Sequence, residues 1–347
     1  MKNFNPNDVA IHNGNFLGLP YTIDEAEYVI FPVCLDVTTS YKPGTSNGPK
    51  AVVDASYQLD LFHPELKEVW KIKLALDQRF VDDTQENARL RELSESYISF
   101  LEEGGDVDSN VDMKEILHHL NEATQKIHDR TYTEIKKFLQ QGKKVILLGG
   151  DHSTPIGYIR ALNELREKPF SILQIDAHAD LRKAYEGFEH SHASICYNAI
   201  QFDKIEKLVQ FGIRDICEEE VTLIKNDNRI KTFFDWQIKE QIHEGKSWSQ
   251  ICDEVIASLG EEVYITFDID GFDPKYCPNT GTPVPGGFEF SEIMYLFKKL
   301  SASSKKIIGM DLVEVAPGND EWDGNVGART LFNMMVYYHL NNLKHKY

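Results

Sequence analysis

Cysteine is scarce in this chain, and basic side chains are outnumbered. The five cysteines (Cys34, Cys196, Cys217, Cys252 and Cys277) are odd in number and form no Cys-x-x-Cys pair. That excludes a disulfide framework and a thiolate-built structural zinc site, and they read as reduced packing residues. Lysine and arginine total 37 against 55 aspartates and glutamates, for a formal net charge of -18. Nucleic acid and anionic membrane surfaces both require a basic footprint, so neither is expected as a partner. Nowhere does an apolar run reach the roughly eighteen residues of a membrane span, and Met1-Lys2-Asn3-Phe4-Asn5-Pro6 carries no apolar signal region. A cytoplasmic protein is expected. No stretch rich in Pro, Gly and Ser reads as a linker and no repeat of fixed period is present, so residues 27–347 are read as one domain behind a polar extension, 1–26, that lies on the surface or against a neighbouring subunit.

What the chain does contain is an alternation of strand and helix patterns. Apolar runs at 28–33, 69–76, 144–148, 170–175, 208–213, 230–234, 263–267 and 306–313 read as strands. Between them, Met113 to Gln141 carries Ile116, Leu120, Ala123, Ile127, Ile135 and Phe138 at helical steps and ends at Gly142. Further helices are expected from Pro49 through Leu59, from about 154 to 166, and over 249–259, 290–300 and 326–343. This rhythm predicts an α/β fold with a mostly parallel sheet and right-handed crossovers. The loop 35–48, rich in Thr, Ser, Pro and Gly, is placed to contribute to a pocket rim. The acidic interval 82–112, with helical patterning near 90–101, is read as carrying no chemistry.

Three strands run directly into polar clusters. Asp176-Ala177-His178-Ala179-Asp180 follows the run from Phe170, and its alternate residues place two carboxylates and an imidazole on one side of an extended backbone. Gly149-Gly150-Asp151-His152-Ser153 follows Val145 to Leu148, and Asp268-Ile269-Asp270-Gly271-Phe272-Asp273-Pro274 follows Val263 to Phe267. Open α/β sheets place their chemistry at such strand ends. His152, Asp176, His178, Asp180, Asp268 and Asp270 are too many ligands for one catalytic ion and suit a pair of divalent metals. The oxygen-rich set favours Mn²⁺ over Co²⁺, Ni²⁺, Zn²⁺ or Fe²⁺. Two such ions hold a bridging water and lower its pKa towards neutrality. A lone Asp at a strand end is ordinarily a cap, and a lone His an ordinary core or surface group. His118, His119 and His128 lie on the long helical stretch, and His12, His63, His243, His339 and His345 lack acidic partners at ligand spacing. Asp273 is either a group orienting the Asp268–Asp270 pair or an Asx-turn residue before Pro274.

The three motifs, in this order, resemble the signatures of the ureohydrolases: arginase, agmatinase, guanidinobutyrase and formimidoylglutamase. The resemblance implies a three-layer α/β/α fold around a parallel sheet of about eight strands, a binuclear manganese site, and assembly as homotrimers or homohexamers. It implies that His152, Asp176, Asp180 and Asp268 hold or bridge one ion while His178 and Asp270 complete the other. Glu314, in Gly309-Met310-Asp311-Leu312-Val313-Glu314-Val315-Ala316-Pro317, resembles the carboxylate that grips the substrate's guanidinium. His192, in Ser191-His192-Ala193-Ser194, matches the loop histidine that relays a proton to the departing amine, with His190 ranked second. Asp180 would hydrogen-bond the nucleophile. The segments Thr280 to Gly287 and Val313 to Pro317 look like those of agmatinases, whereas Leu181-Arg182-Lys183-Ala184-Tyr185-Glu186-Gly187-Phe188 departs from the arginase pattern. The leading expectation is therefore an agmatinase-like hydrolase of a small cationic guanidino compound that releases urea. Its rivals are hydrolysis of free guanidine or a short guanidino acid, a formimidoylglutamase, and a non-catalytic metal-binding assembly subunit.

Overall fold

A computed structural model describes residues 4–80 and 84–345. Eight strands form its sheet: β1 Tyr28–Val33, β2 Leu74–Leu76, β3 Lys144–Gly149, β4 Phe170–Ile175, β5 Ile205–Ile213, β6 Ile230–Phe234, β7 Glu262–Asp268 and β8 Lys306–Val313. Their order is β2-β1-β3-β8-β7-β4-β5-β6, and every neighbouring pair is parallel. Parallel strands need crossovers, and these are supplied mainly by α1 Gly48–Ser56, α2 Thr84–Glu102, α3 Val111–Gln140, α4 Ile156–Leu165, α5 Ile195–Ala199, α6 Glu218–Asn226, α7 Asp235–His243, α8 Trp248–Ala257 and α9 Phe290–Ala302. The chain closes with α10 Trp322–Lys344.

Alternation along each strand divides the core in two. Ile146 and Leu148 of β3 join Leu173, Ile175, Ile265 and Phe267 beneath α1, α8, α9 and α10, whereas Val145 and Leu147 join Phe31, Ile172 and Leu208 beneath α3 and α4. All residues of β1, β4 and β7 are buried, as a sheet covered on both faces requires. No helix among the described residues is long and apolar enough to cross a membrane.

Local departures from the sequence pattern have local causes. The strand expected over 69–76 is only Leu74–Leu76, because Glu68 adopts a left-handed conformation and starts a 3-10 turn at Val69–Lys71. The long helix begins at Val111, where the Asn110 side chain accepts from the Met113 amide. Helices α6 and α7 went unrecognised in the sequence, being short and rich in charge. Part of the N-terminal segment is not superficial: Phe16, Leu17 and Leu19 are buried in the core. The Asn15 side chain donates to the Leu19 carbonyl at 2.8 Å and accepts from the Leu76 amide at 2.6 Å, stitching the segment to the edge strand.

The four central strands end together. Ile175 of β4 pairs with Phe267 of β7, and Asp268 of β7 pairs with Val313 of β8. The segments after β3, β8, β7 and β4 therefore leave the sheet side by side, carrying His152, Glu314, Asp268 to Asp270 and Asp176 to Asp180.

Candidate active site

Asp176 stands between two imidazoles. Its Oδ2 lies 3.0 Å from His152 Nδ1 and its Oδ1 lies 3.7 Å from His178 Nδ1. His152 Nδ1 is also 2.9 Å from Asp180 Oδ2 and 3.3 Å from Asp268 Oδ2, and His178 Nδ1 is 3.0 Å from Asp270 Oδ2. Five of the sequence-predicted six thus fall into two groups sharing Asp176: His152, Asp176 and Asp268, and Asp176, His178 and Asp270. Each group could hold a metal ion, and Asp180 lies beside the first.

The backbone aims these side chains. Asp268 Oδ1 accepts from the Asp270 amide at 2.8 Å and Asp270 Oδ1 accepts from the Ala177 amide at 3.0 Å, which leaves each Oδ2 turned towards an imidazole. His152 Nε2 lies 2.8 Å from Thr266 Oγ1, and that hydroxyl donates to Asp311 Oδ1 at 2.9 Å. With its proton so committed, Thr266 accepts from Nε2–H, which leaves Nδ1 as the nitrogen turned towards the carboxylates. Tyr264 donates to the other oxygen of Asp311 at 2.6 Å. Asp180 and Glu314 adopt left-handed backbone conformations, φ 52° and 63°, rare for non-glycine residues and concentrated at functional sites.

Glu314 is buried, with Oε1 accepting from the His152 amide at 2.8 Å and Oε2 without a hydrogen-bond partner among the described residues. Gly281 stands against it: a Cβ there would lie 3.5 Å from both Glu314 Oε2 and the Lys42 carbonyl. Glu314 is among the residues lining a pocket of about 480 Å³ that also includes Ser40, Arg182, Tyr185, His192 and Thr282. His192 is positioned by its amide, which donates to Thr38 Oγ1 at 2.9 Å. His190 points elsewhere: its Nε2 meets Gln125 Oε1 at 2.7 Å and its ring packs edge-on against His128. Of the two histidines considered, only His192 lines the pocket. Asp273 Oδ1 accepts from the Lys275 amide at 3.0 Å, the Asx-turn alternative.

Residues 26–337 match the profile of the arginase family. The chain belongs to that family. It is 31% identical to an N(1)-aminopropylagmatine ureohydrolase of Synechocystis over 84% of this chain and 82% of that one. It is 27% identical to an agmatinase of Bacillus anthracis over 94% and 96% of the two chains. Among solved structures, an agmatine ureohydrolase of Thermoplasma volcanium superposes with a TM-score of 0.71 at 21% identity, covering 96% of this chain and 97% of that one, which bears on the fold alone. The expected ureohydrolase membership, agmatinase-like branch and arginase-like fold are thereby met.

The electrostatics of this arginase-family site call for cations. Asp176, Asp180, Asp268, Asp270 and Glu314 are all buried within reach of two imidazoles. Burial, then repulsion from Asp270 and Asp176, pushes the Asp268 carboxyl well above its ordinary range. Burial and then Asp176 push Asp180 up to about 7, and burial and then Asp151 raise Glu314 well above its ordinary value. Burial alone would lower His152, but the carboxylates at its Nδ1 outweigh it and hold the imidazolium well above its usual value. Crowded, desolvated anions persist only when paired or metal-bound. His152 Nδ1, buried and facing three carboxylates, makes no well-aligned hydrogen bond to any of them. The donor set therefore fits divalent cations. Burial, then the nearby His178, drops His192 to about 4, so this imidazole is neutral at neutral pH.

Several supporting groups escaped the sequence reading. Asp311 was visible as a charge inside the apolar β8, and that was its signal. The interval 82–112, read as inert, braces the rim through α2: Ser94 Oγ donates to the Val37 carbonyl at 2.6 Å, Asn87 Nδ2 donates to Asp36 Oδ1 at 2.8 Å, and Arg91 donates to the carbonyls of Asp36 and Thr39. Residues 81–83 lie outside the described residues.

Proposed function

We propose that this chain hydrolyses a C–N bond of a guanidino compound, releasing urea and an amine, as an agmatinase-like ureohydrolase. The observation that carries the reading is Asp176 presenting one oxygen to each of two imidazoles, with a further carboxylate beside each. His152, Asp176, Asp180 and Asp268 would hold one divalent cation and Asp176, His178 and Asp270 the other, with Mn²⁺ favoured by the oxygen-rich donors and Ni²⁺ or Co²⁺ as substitutes. When bound, the pair supplies a water of lowered pKa and positive charge against the developing negative charge of the transition state.

The chain's own residues do the rest. Glu314 lines the pocket and keeps Oε2 unpaired among the described residues, an acceptor for which a planar guanidinium would offer the complementary donors. Binding there fixes the guanidino carbon relative to the nucleophile. Asp180 would accept a hydrogen bond from the attacking water. His192, neutral and lining the same pocket, acts as a relay: it gives a proton to the leaving nitrogen from one ring nitrogen while the other accepts one from solvent.

The assembly, a homotrimer or homohexamer, is read from the same resemblance; a cytoplasmic setting is proposed with it, in a single domain that takes in Phe16, Leu17 and Leu19 of the N-terminal segment. Metal-loaded protein incubated with agmatine, arginine, guanidine, short guanidino acids and formimidoylglutamate tests the chemistry. Urea from at least one guanidino compound is expected, with the activity lost in Asp268→Asn. Formamide from formimidoylglutamate and urea from none would overturn it, and no turnover with any metal would leave a binding subunit.

A further inference from the structure

A row of polar side chains crosses the sheet beneath the metal-type cluster. Thr232 of β6, Gln210 of β5, Gln174 of β4, Thr266 of β7 and Asp311 of β8 stand in register, each pairing with the next. All but Thr232 are buried. Apolar side chains of the same shape would fill a sheet interior about as well, so stability by itself gives no reason for the row. Its two middle members explain it. Thr266 meets His152, as described above, and Gln174 meets Asp176.

On the Gln174 side the hydrogen bonds run one way. Thr232 Oγ1 donates to Gln210 Oε1 at 2.7 Å, Gln210 Nε2 donates to Gln174 Oε1 at 2.7 Å, and Gln174 Nε2 donates to Asp176 Oδ2 at 2.8 Å. Each amide nitrogen also has a second acceptor, the Ala179 carbonyl at 2.7 Å for Gln210 and the His178 carbonyl at 3.0 Å for Gln174. Carbonyl and carboxylate oxygens only accept, so neither amide can be turned over and both protons of each are engaged. A buried network satisfied in this way is rigid. It grips the ligand-bearing segment at Asp176, His178 and Ala179. At Asp176 itself, Oδ2 accepts from Gln174 while Oδ1 accepts from the His178 amide at 2.7 Å. Each oxygen is thereby tethered on its own side, Oδ2 towards His152 and Oδ1 towards His178.

We infer that Gln174, backed by Gln210 and Thr232, is a positioning residue that keeps Asp176 shared between the two cation sites. This rests on the two-ion reading and deepens it. Without the Gln174 donor, Asp176 is free to turn both oxygens to one ion, which leaves the other short of a ligand. Loss of Gln174 therefore acts on the second ion bound and spares the first.

Calorimetric titration of Mn²⁺ into protein stripped of metal by chelation tests this without turnover. Gln174→Met keeps the length and volume of the side chain and removes its donors. The tighter of the two binding steps should stay within about twofold of wild type, while the weaker step is weakened about tenfold or more. With Mn²⁺ supplied at two per chain, the electron paramagnetic resonance spectrum should change from that of a coupled pair to that of isolated ions. Two steps unchanged in Gln174→Met, or both weakened alike, overturns the inference and leaves the two-ion reading standing. Wild-type protein that takes up no second ion overturns both. Should Gln174→Met fail to fold, Gln210→Met decides, since it removes the support behind Gln174 and touches no group at Asp176. Weakening of the weaker step alone upholds the inference there, and any other result overturns it.

Discussion

The His192 amide donates to Thr38 Oγ1 at 2.9 Å, and the same hydroxyl donates to Asp151 Oδ2 at 3.0 Å. Asp151, pushed up to about 6 chiefly by burial, also accepts from the Ser153 amide at 3.0 Å and the Ser153 hydroxyl. One hydroxyl thus ties the loop that bears His192 to the end of β3. Thr38→Val keeps the shape and removes both bonds. Leaving the buried Asp151 oxygen short of a donor should cost about 1–3 kcal/mol of stability. Misplacement of His192 should lower kcat about tenfold or more with little change in KM, and Thr38→Ser should restore most of it. Steady-state kinetics and thermal melts of the two variants check this.

The Thr266–Asp311 pair orients His152 from behind. Asp311→Asn or Thr266→Val leaves every proposed ligand in place but loosens the tautomer and ring orientation of His152. Removing such outer partners typically costs 10- to 100-fold in metal affinity, so roughly that weakening is expected. Competition against a chelating dye measures it. The cluster's mutual repulsion also predicts that chelation lowers the melting temperature of wild-type protein and that added Mn²⁺ restores it.

Glu314→Gln separates substrate binding from metal binding. The amide preserves the volume and the acceptor towards the His152 amide but loses the charge offered to a guanidinium. Charge-assisted hydrogen bonds of this kind are worth about 1.5–3 kcal/mol, so kcat/KM should fall roughly 10- to 10²-fold or more. Metal content, measured by elemental analysis, should stay at two per chain. A fall in metal content equal to the fall in activity would reassign Glu314 to the metal cluster.

His128 sets a pH dependence of stability away from the site. Both its ring nitrogens are buried without hydrogen-bond partners among the described residues, and burial, then the neighbouring His190, drop its pKa to about 3. The unfolded chain protonates this ring below its ordinary value of about 6.5, and the native chain does so only near pH 3. Its contribution to stability is therefore lost as pH falls through that window, by about 1.4 kcal/mol per pH unit. His190, lowered for the same reason, acts in the same direction. Urea unfolding between pH 7 and pH 4 should show a shallower loss of stability in His128→Leu than in wild type.

Much of the fold was legible because a buried parallel strand is a dense apolar run, and β1, β3, β4, β7 and β8 all have that form. The edge strand β2 was read too long, over 69–76, because nothing in that run marks the 3-10 turn at Val69–Lys71, and the short helices α6 and α7 were missed because solvated helices carry polar residues that blur the pattern. At the site, the metal-type cluster could be read from motifs in which ligands follow strands at fixed spacing. The groups that orient it could not. Asp311, Thr266 and Thr38 are ordinary residues until a neighbouring strand or loop gives them a partner, and α2 reads as an acidic surface segment until Asn87, Arg91 and Ser94 are seen gripping the rim.

Taken alone, the order of residues determined which side chains stand at the ends of β3, β4, β7 and β8, because alternation along a strand is a property of the local backbone. Only the tertiary structure decided that these strands are neighbours, that Asp176 faces two imidazoles, that His192 rather than His190 lines the pocket, and that Arg182 packs against the Tyr185 ring. Those outcomes depend on pairings between residues far apart in the chain, which are settled by the packing of the whole core and leave no local trace.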